Sequence, residues 1–96
     1  MEHSLETNYG GAKLCLLFSV DDEDSAKTGH ARLLINNIER DRTVSTKNTI
    51  LRLSSTVQTE YEWHEFIEAL VEVKNDSITA SLFASKAKLK QVVITP

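Results

Sequence analysis

His64 and Glu68, four residues apart in the stretch EWHEFIEAL (62–70), come closer to a catalytic signature than any other pair in this chain. A zinc protease carries two histidines at that spacing on one helical face, with a glutamate between them as general base. Here Glu68 stands in place of the second histidine, no third ligand is specified, and His3 and His30 have no metal-binding spacing. The stretch therefore reads as the wet side of a helix. Other chemistries fare no better. A calcium loop begun at Asp21 of DDED would place Ala26 where position six needs glycine and Arg32 where position twelve needs glutamate. Cys15 lies among leucines, where desolvation keeps a thiol inert. No serine sits in a Gly-x-Ser-x-Gly elbow, and Gly10, Gly11 and Gly29 cannot make a phosphate loop. The expectation is a non-enzymatic protein without metal or cofactor.

Binding is the better reading. On a helix, Glu65, Glu68 and Glu72 form one acidic arc with no lysine four residues on, an arrangement that suits a basic protein partner. An open sheet face carrying Leu17, Ile50 and Phe83 would be costly to leave wet and would mark an interface, with a homodimer the natural first case. The alternative is a single-stranded nucleic-acid binder using Arg40, Arg42, Lys47 and Arg52 around a hairpin. Against it stands the scarcity of aromatic residues free to stack on bases, with only Tyr9 and Phe83 outside the expected core.

These placements depend on the elements that carry them. KLCLLFSV (13–20) is short, apolar and bounded by turn residues, so it reads as a buried strand with Leu14, Leu16, Phe18 and Val20 on one face. Ala31, Leu34, Ile35 and Ile38 fall at helical spacing behind possible caps at Asp24 or Ser25. RTVST and TILRLSS flank Lys47-Asn48 as a hairpin. Thr59-Glu60-Tyr61-Glu62 reads as a capping box opening a second helix through Trp63, Phe66, Ile67, Leu70 and Val71, which ends at Asn75-Asp76. SITASLF alternates as a strand, and KAKLKQVVITP adds another strand or a short helix. The sum is a ferredoxin-like βαββαβ sandwich, an α+β fold with an extra C-terminal strand. A curved antiparallel sheet on one long helix is the alternative. No internal repeat is visible.

With 96 residues, 41% hydrophobic and 26% charged, the chain is expected to be one globular domain, residues 1–11 serving as an arm or short edge strand. The net charge of −3 hides alternating acidic and basic blocks, and lacks the basic excess usual in nucleic-acid binders. A single cysteine, and an N-terminus without a basic start or apolar core, point to the cytoplasm.

Overall fold

Between Leu14 and Phe18 every second side chain is wholly buried, and that period of two governs the molecule in the computed structural model. It describes residues 2–23, 26–45, 50–58, 64–74 and 77–95. Eight strands follow one another: β1 Glu2–Tyr9, β2 Ala12–Glu23, β3 Ala26–Ile35, β4 Ile38–Ser45, β5 Ile50–Gln58, β6 His64–Val73, β7 Ile78–Ala84 and β8 Ala87–Ile94. Each pairs antiparallel with its neighbour in sequence, giving two four-stranded sheets, β1-β2-β3-β4 and β5-β6-β7-β8. The inward faces close on a single core that includes Leu5, Leu14, Phe18, Leu33, Leu53, Ile67 and Leu82. The body is elongated, 48 × 20 × 20 Å.

The α+β sandwich, ferredoxin-like or single-helix, is thereby corrected: the fold is all-β, with no helix among the described residues. Residues 26–38, expected as a helix, form β3 and the start of β4. Ala31, Leu33 and Ile35 point inward, and Asn36-Asn37 make a tight turn at φ 52° and 67°. Both positive values identify the type I′ turn whose twist suits a hairpin, and asparagine tolerates that conformation. Gly29, a residue that would be costly in a helix interior, serves the strand instead: a Cβ there would lie 2.9 Å from Leu51 Cδ1 on the opposite sheet. Residues 64–73, the second expected helix, form β6, with Ile67, Ala69 and Val71 inward. Its capping box, Trp63 and its Asn75-Asp76 end lie outside the described residues, as do the caps Asp24 and Ser25.

β4 and β5 are strands, but they belong to different sheets rather than to one hairpin; Lys47-Asn48 between them lie outside the described residues. Leu51 and Leu53 do face inward and Ile50 and Arg52 outward, and the C-terminal stretch is strand β8. The residues before the glycine pair form β1, the outermost strand of its sheet.

The two sheets also repeat one another. Asn36-Asn37 and Ser85-Lys86 are equivalent two-residue turns, both with positive φ. The register skips Arg40 just after the first and Leu89 just after the second, a β-bulge at the same place in each sheet. Asn36 N–H donates to the Lys13 carbonyl at 2.9 Å, and Ser85 N–H to the Phe66 carbonyl at 2.8 Å, again at matching positions. Ala31 and Leu33 thus correspond to Ala80 and Leu82, and Leu17 to Leu70. Equivalent positions share shape more than residue type, so the sequence shows little of the repeat.

The repeat extends to the two seams where the sheets meet. Sheet edges present unpaired backbone groups that invite aggregation, and inward-pointing charges beside bulges are one defence. Asp41, following the first bulge, accepts a hydrogen bond from Ser54 N–H on β5 at 2.9 Å. Lys90, following the second, donates to the Glu6 carbonyl on β1 at 2.9 Å. Asp41 and Lys90 occupy matching positions, as do Ser54 and Glu6. One seam is satisfied by an anion on an amide and the other by a cation on a carbonyl.

Candidate functional site

A strand that buries one face offers its other face to solvent, so the outward residues of the two sheets decide what this protein can touch. On the second sheet the outward residues of β6 are Phe66, Glu68, Leu70 and Glu72. Glu68 stands opposite Phe83 of β7 and Ser54 of β5, and Leu70 opposite Ser81 and Arg52. Phe66 lies diagonal to Phe83 across the ladder, within the reach of aromatic side chains. Phe66 is 46% exposed, while Leu70 and Phe83 are half-buried. Arg52, Glu68, Leu70, Phe83 and Lys86 line a shallow depression of about 210 Å³. The result is an apolar stripe bordered by one acid and two bases.

The structure brings together some of the residues singled out from sequence and separates others. Glu68, Phe83 and Arg52 share this depression. Ile50 is exposed two residues along β5 from Arg52, in the same cross-strand row as Glu72. The expected acidic arc is not one surface, since a strand sends alternate residues to opposite sides. Glu68 and Glu72 point outward, whereas Glu65 has the inward parity near the sheet end and accepts a hydrogen bond from the Ser85 hydroxyl. Leu17 lies on the outer face of the other sheet, beside Arg32. Phe66 and Leu70 are not among the candidate binding residues, because in the sequence they read as the core of a helix.

The basic alternative is divided by the seam between the sheets. Arg40 is exposed at the bulge, Arg42 points outward on β4 and Arg52 outward on β5. Arg42 donates from Nε and from a terminal nitrogen to Glu39 Oε1, at 3.3 and 3.0 Å, and Arg52 has Glu68 beside it in the depression. Lys47 lies outside the described residues.

On the first sheet a larger cleft of about 320 Å³ is lined by Leu17, Glu2, His30, Arg32, Arg42 and Val44, among others. Near it, Cys15 donates a long hydrogen bond to Glu6 Oε1 at 3.8 Å. Burial first, and then the Glu6 carboxylate, push the thiol above its ordinary 9.0, so it is protonated at neutral pH. Among the described residues no group of three or more His, Cys, Asp or Glu gathers as metal ligands; His64 is exposed at the start of β6.

No family model matches the chain, and neither does any curated protein or solved structure. Among the described residues no helix is long and apolar enough to cross a membrane.

Proposed function

We propose that this is a non-enzymatic interaction protein that binds a protein partner through the outer face of its second sheet, and that the first such partner is a second copy of itself. The observation that supports the reading is the stripe of Phe66, Leu70 and Phe83, which lies outside a core already complete between the sheets. Burying exposed aromatic and aliphatic side chains is what drives association, and aromatic residues dominate binding energy where they are ringed by polar groups. The border supports a second copy as that partner. Glu68 stands between Arg52 and Lys86, so the patch carries both signs and can meet its own copy about a two-fold axis, acid to base.

Sedimentation velocity over a concentration series, on the full chain and on Phe66→Ser and Phe83→Ser, tests this. Each substitution removes about 1 kcal/mol of apolar burial per copy, about 2 in a symmetric dimer, which weakens association about thirtyfold. Both variants keep the inward core and should retain the strand signal in far-ultraviolet circular dichroism. A concentration-independent monomer for the unmodified chain, or a dimer that neither substitution weakens, removes self-association through this face.

A further inference from the structure

The cleft on the first sheet, on the opposite side of the molecule from the proposed interface, carries a feature that neither folding nor that interface requires. Arg32 and Arg42 stand directly opposite each other on β3 and β4. Like charges at opposed positions destabilise a sheet. The repeat shows what the fold accepts there: the matching pair on the second sheet is Ser81 and Gln91, a neutral pair in hydrogen-bond contact at 3.4 Å. The two guanidiniums are therefore a departure from the repeat, placed where a cleft opens.

Their existing counter-charges leave room for another anion. Glu39 serves both arginines from one side, reaching Arg42 at 3.0 Å but Arg32 only at 3.6 Å. Glu2 approaches Arg32 at 3.9 Å. Among the described residues, then, Arg32 meets carboxylates only beyond hydrogen-bond length, although its side chain is just 37% exposed. A guanidinium offers five donors in a fork that matches a carboxylate with two parallel hydrogen bonds. On the side away from Glu39, the next cross-strand row of the cleft carries Ser19, His30 and Val44, while Leu17 flanks Arg32 in the arginines' own row. A polar head at the arginines, with Val44 beyond Arg42 and Leu17 flanking Arg32, defines an amphiphilic pocket.

We propose that this cleft binds a small carboxylate bearing a short apolar chain, its carboxylate between Arg32 and Arg42 and its chain running along β4 over Val44. The carboxylate takes the place of the loosely held Glu2, so Glu2 is a competitor for the site rather than part of it.

Hexanoate is the probe, with acetate, hexan-1-ol and inorganic phosphate as comparison arms, titrated into the isotope-labelled full chain and followed by the arginine Nε–Hε and backbone amide resonances. Hexanoate should saturate with a dissociation constant of about 1 mM, moving the signals of Arg32, Arg42 and Val44. Acetate lacks the chain and hexan-1-ol the charge, so each should bind at least about tenfold more weakly. Arg42→Gln should weaken hexanoate about tenfold, whereas Glu2→Gln should tighten it severalfold by removing the competitor. Both side chains are more than half exposed, at 60% and 57%, so the variants should fold, and an unchanged amide spectrum away from the cleft checks this. Shifts that never saturate, equal binding of hexan-1-ol and hexanoate, phosphate binding tighter than hexanoate, or indifference to both substitutions would each overturn the proposal.

Discussion

Replacing Gly29 by alanine tests the packing of the two sheets where β3 faces Leu51 of β5. The new methyl would sit 2.9 Å from Leu51 Cδ1, 3.6 Å from its Cγ and 3.8 Å from Cδ2. Ordinary carbon contacts lie at about 3.5–4.0 Å, so the first of these is an overlap of more than half an ångström. Leu51 is 2% exposed and has little space into which to turn. Overpacking of this kind costs about 1–3 kcal/mol. Working against it, alanine is better than glycine in a strand by about 0.5–1 kcal/mol, because the unfolded chain loses less freedom. The expected net is a loss of about 1–2 kcal/mol, or a fall in melting temperature of roughly 5–15 °C for a domain of this size. The discriminating measurement is the same substitution in a Leu51→Val background, where the offending Cδ atoms are absent. There Gly29→Ala should be neutral or stabilising by about 0.5 kcal/mol, although Leu51→Val itself costs about 1 kcal/mol. Urea unfolding of all four proteins by far-ultraviolet circular dichroism gives the coupling directly. Equal costs of Gly29→Ala in the two backgrounds, within about 0.5 kcal/mol, would refute the close approach.

Two further expectations concern the seam and the cysteine. Asp41→Ala leaves Ser54 N–H without its anionic acceptor and should cost about 1 kcal/mol by urea unfolding, moderated by solvent access, with faster exchange of the Ser54 amide proton; unchanged exchange refutes the edge-capping role. Cys15 should react with iodoacetamide at pH 8 far more slowly than a free thiol, because its folded pKa is raised. The sign follows for stability. Since the unfolded thiol ionises first, the Cys15 contribution is present below pH 9.0 and declines as pH rises above it, and a stability rising through that range at this residue, judged against Cys15→Ala, contradicts the assignment.

Strands with one apolar face were legible. Leu14, Leu16 and Phe18 of β2 and Ala80 and Leu82 of β7 alternate cleanly, and both strands were read with the correct inward face. β6 was not, for a reason tied to the candidate site. Its inward residues are Ile67, Ala69 and Val71, but the outward face carries Phe66 and Leu70 as well. Taken together, Phe66, Ile67, Leu70 and Val71 reproduce a helical stripe, with small Ala69 hidden among them. Apolar residues placed for the outer surface thus erased the alternation that would have disclosed the strand. In β3 the outward Leu34 had the same effect, while Leu33, which seemed off the face of a helix, is fully buried. Asn36-Asn37 and Ser85-Lys86 are not legible as turns because asparagine tolerates positive φ without requiring it, and serine and lysine give no signal for it at all. The repeat escaped for a related reason: Phe18 matches Val71 and Ile35 matches Ala84, so volume is exchanged between positions while geometry is kept.

Every strand here shares a backbone ladder only with the strand before or after it in sequence, and the two halves meet through side chains rather than through a shared ladder. Cut from its twin, either meander would be a sheet with Leu16 and Leu33, or Ile67 and Leu82, bared along an entire side. Neither half has an inside of its own. Only together do the two meanders enclose one, and a single chain tethers two lids that would otherwise have to find each other by diffusion.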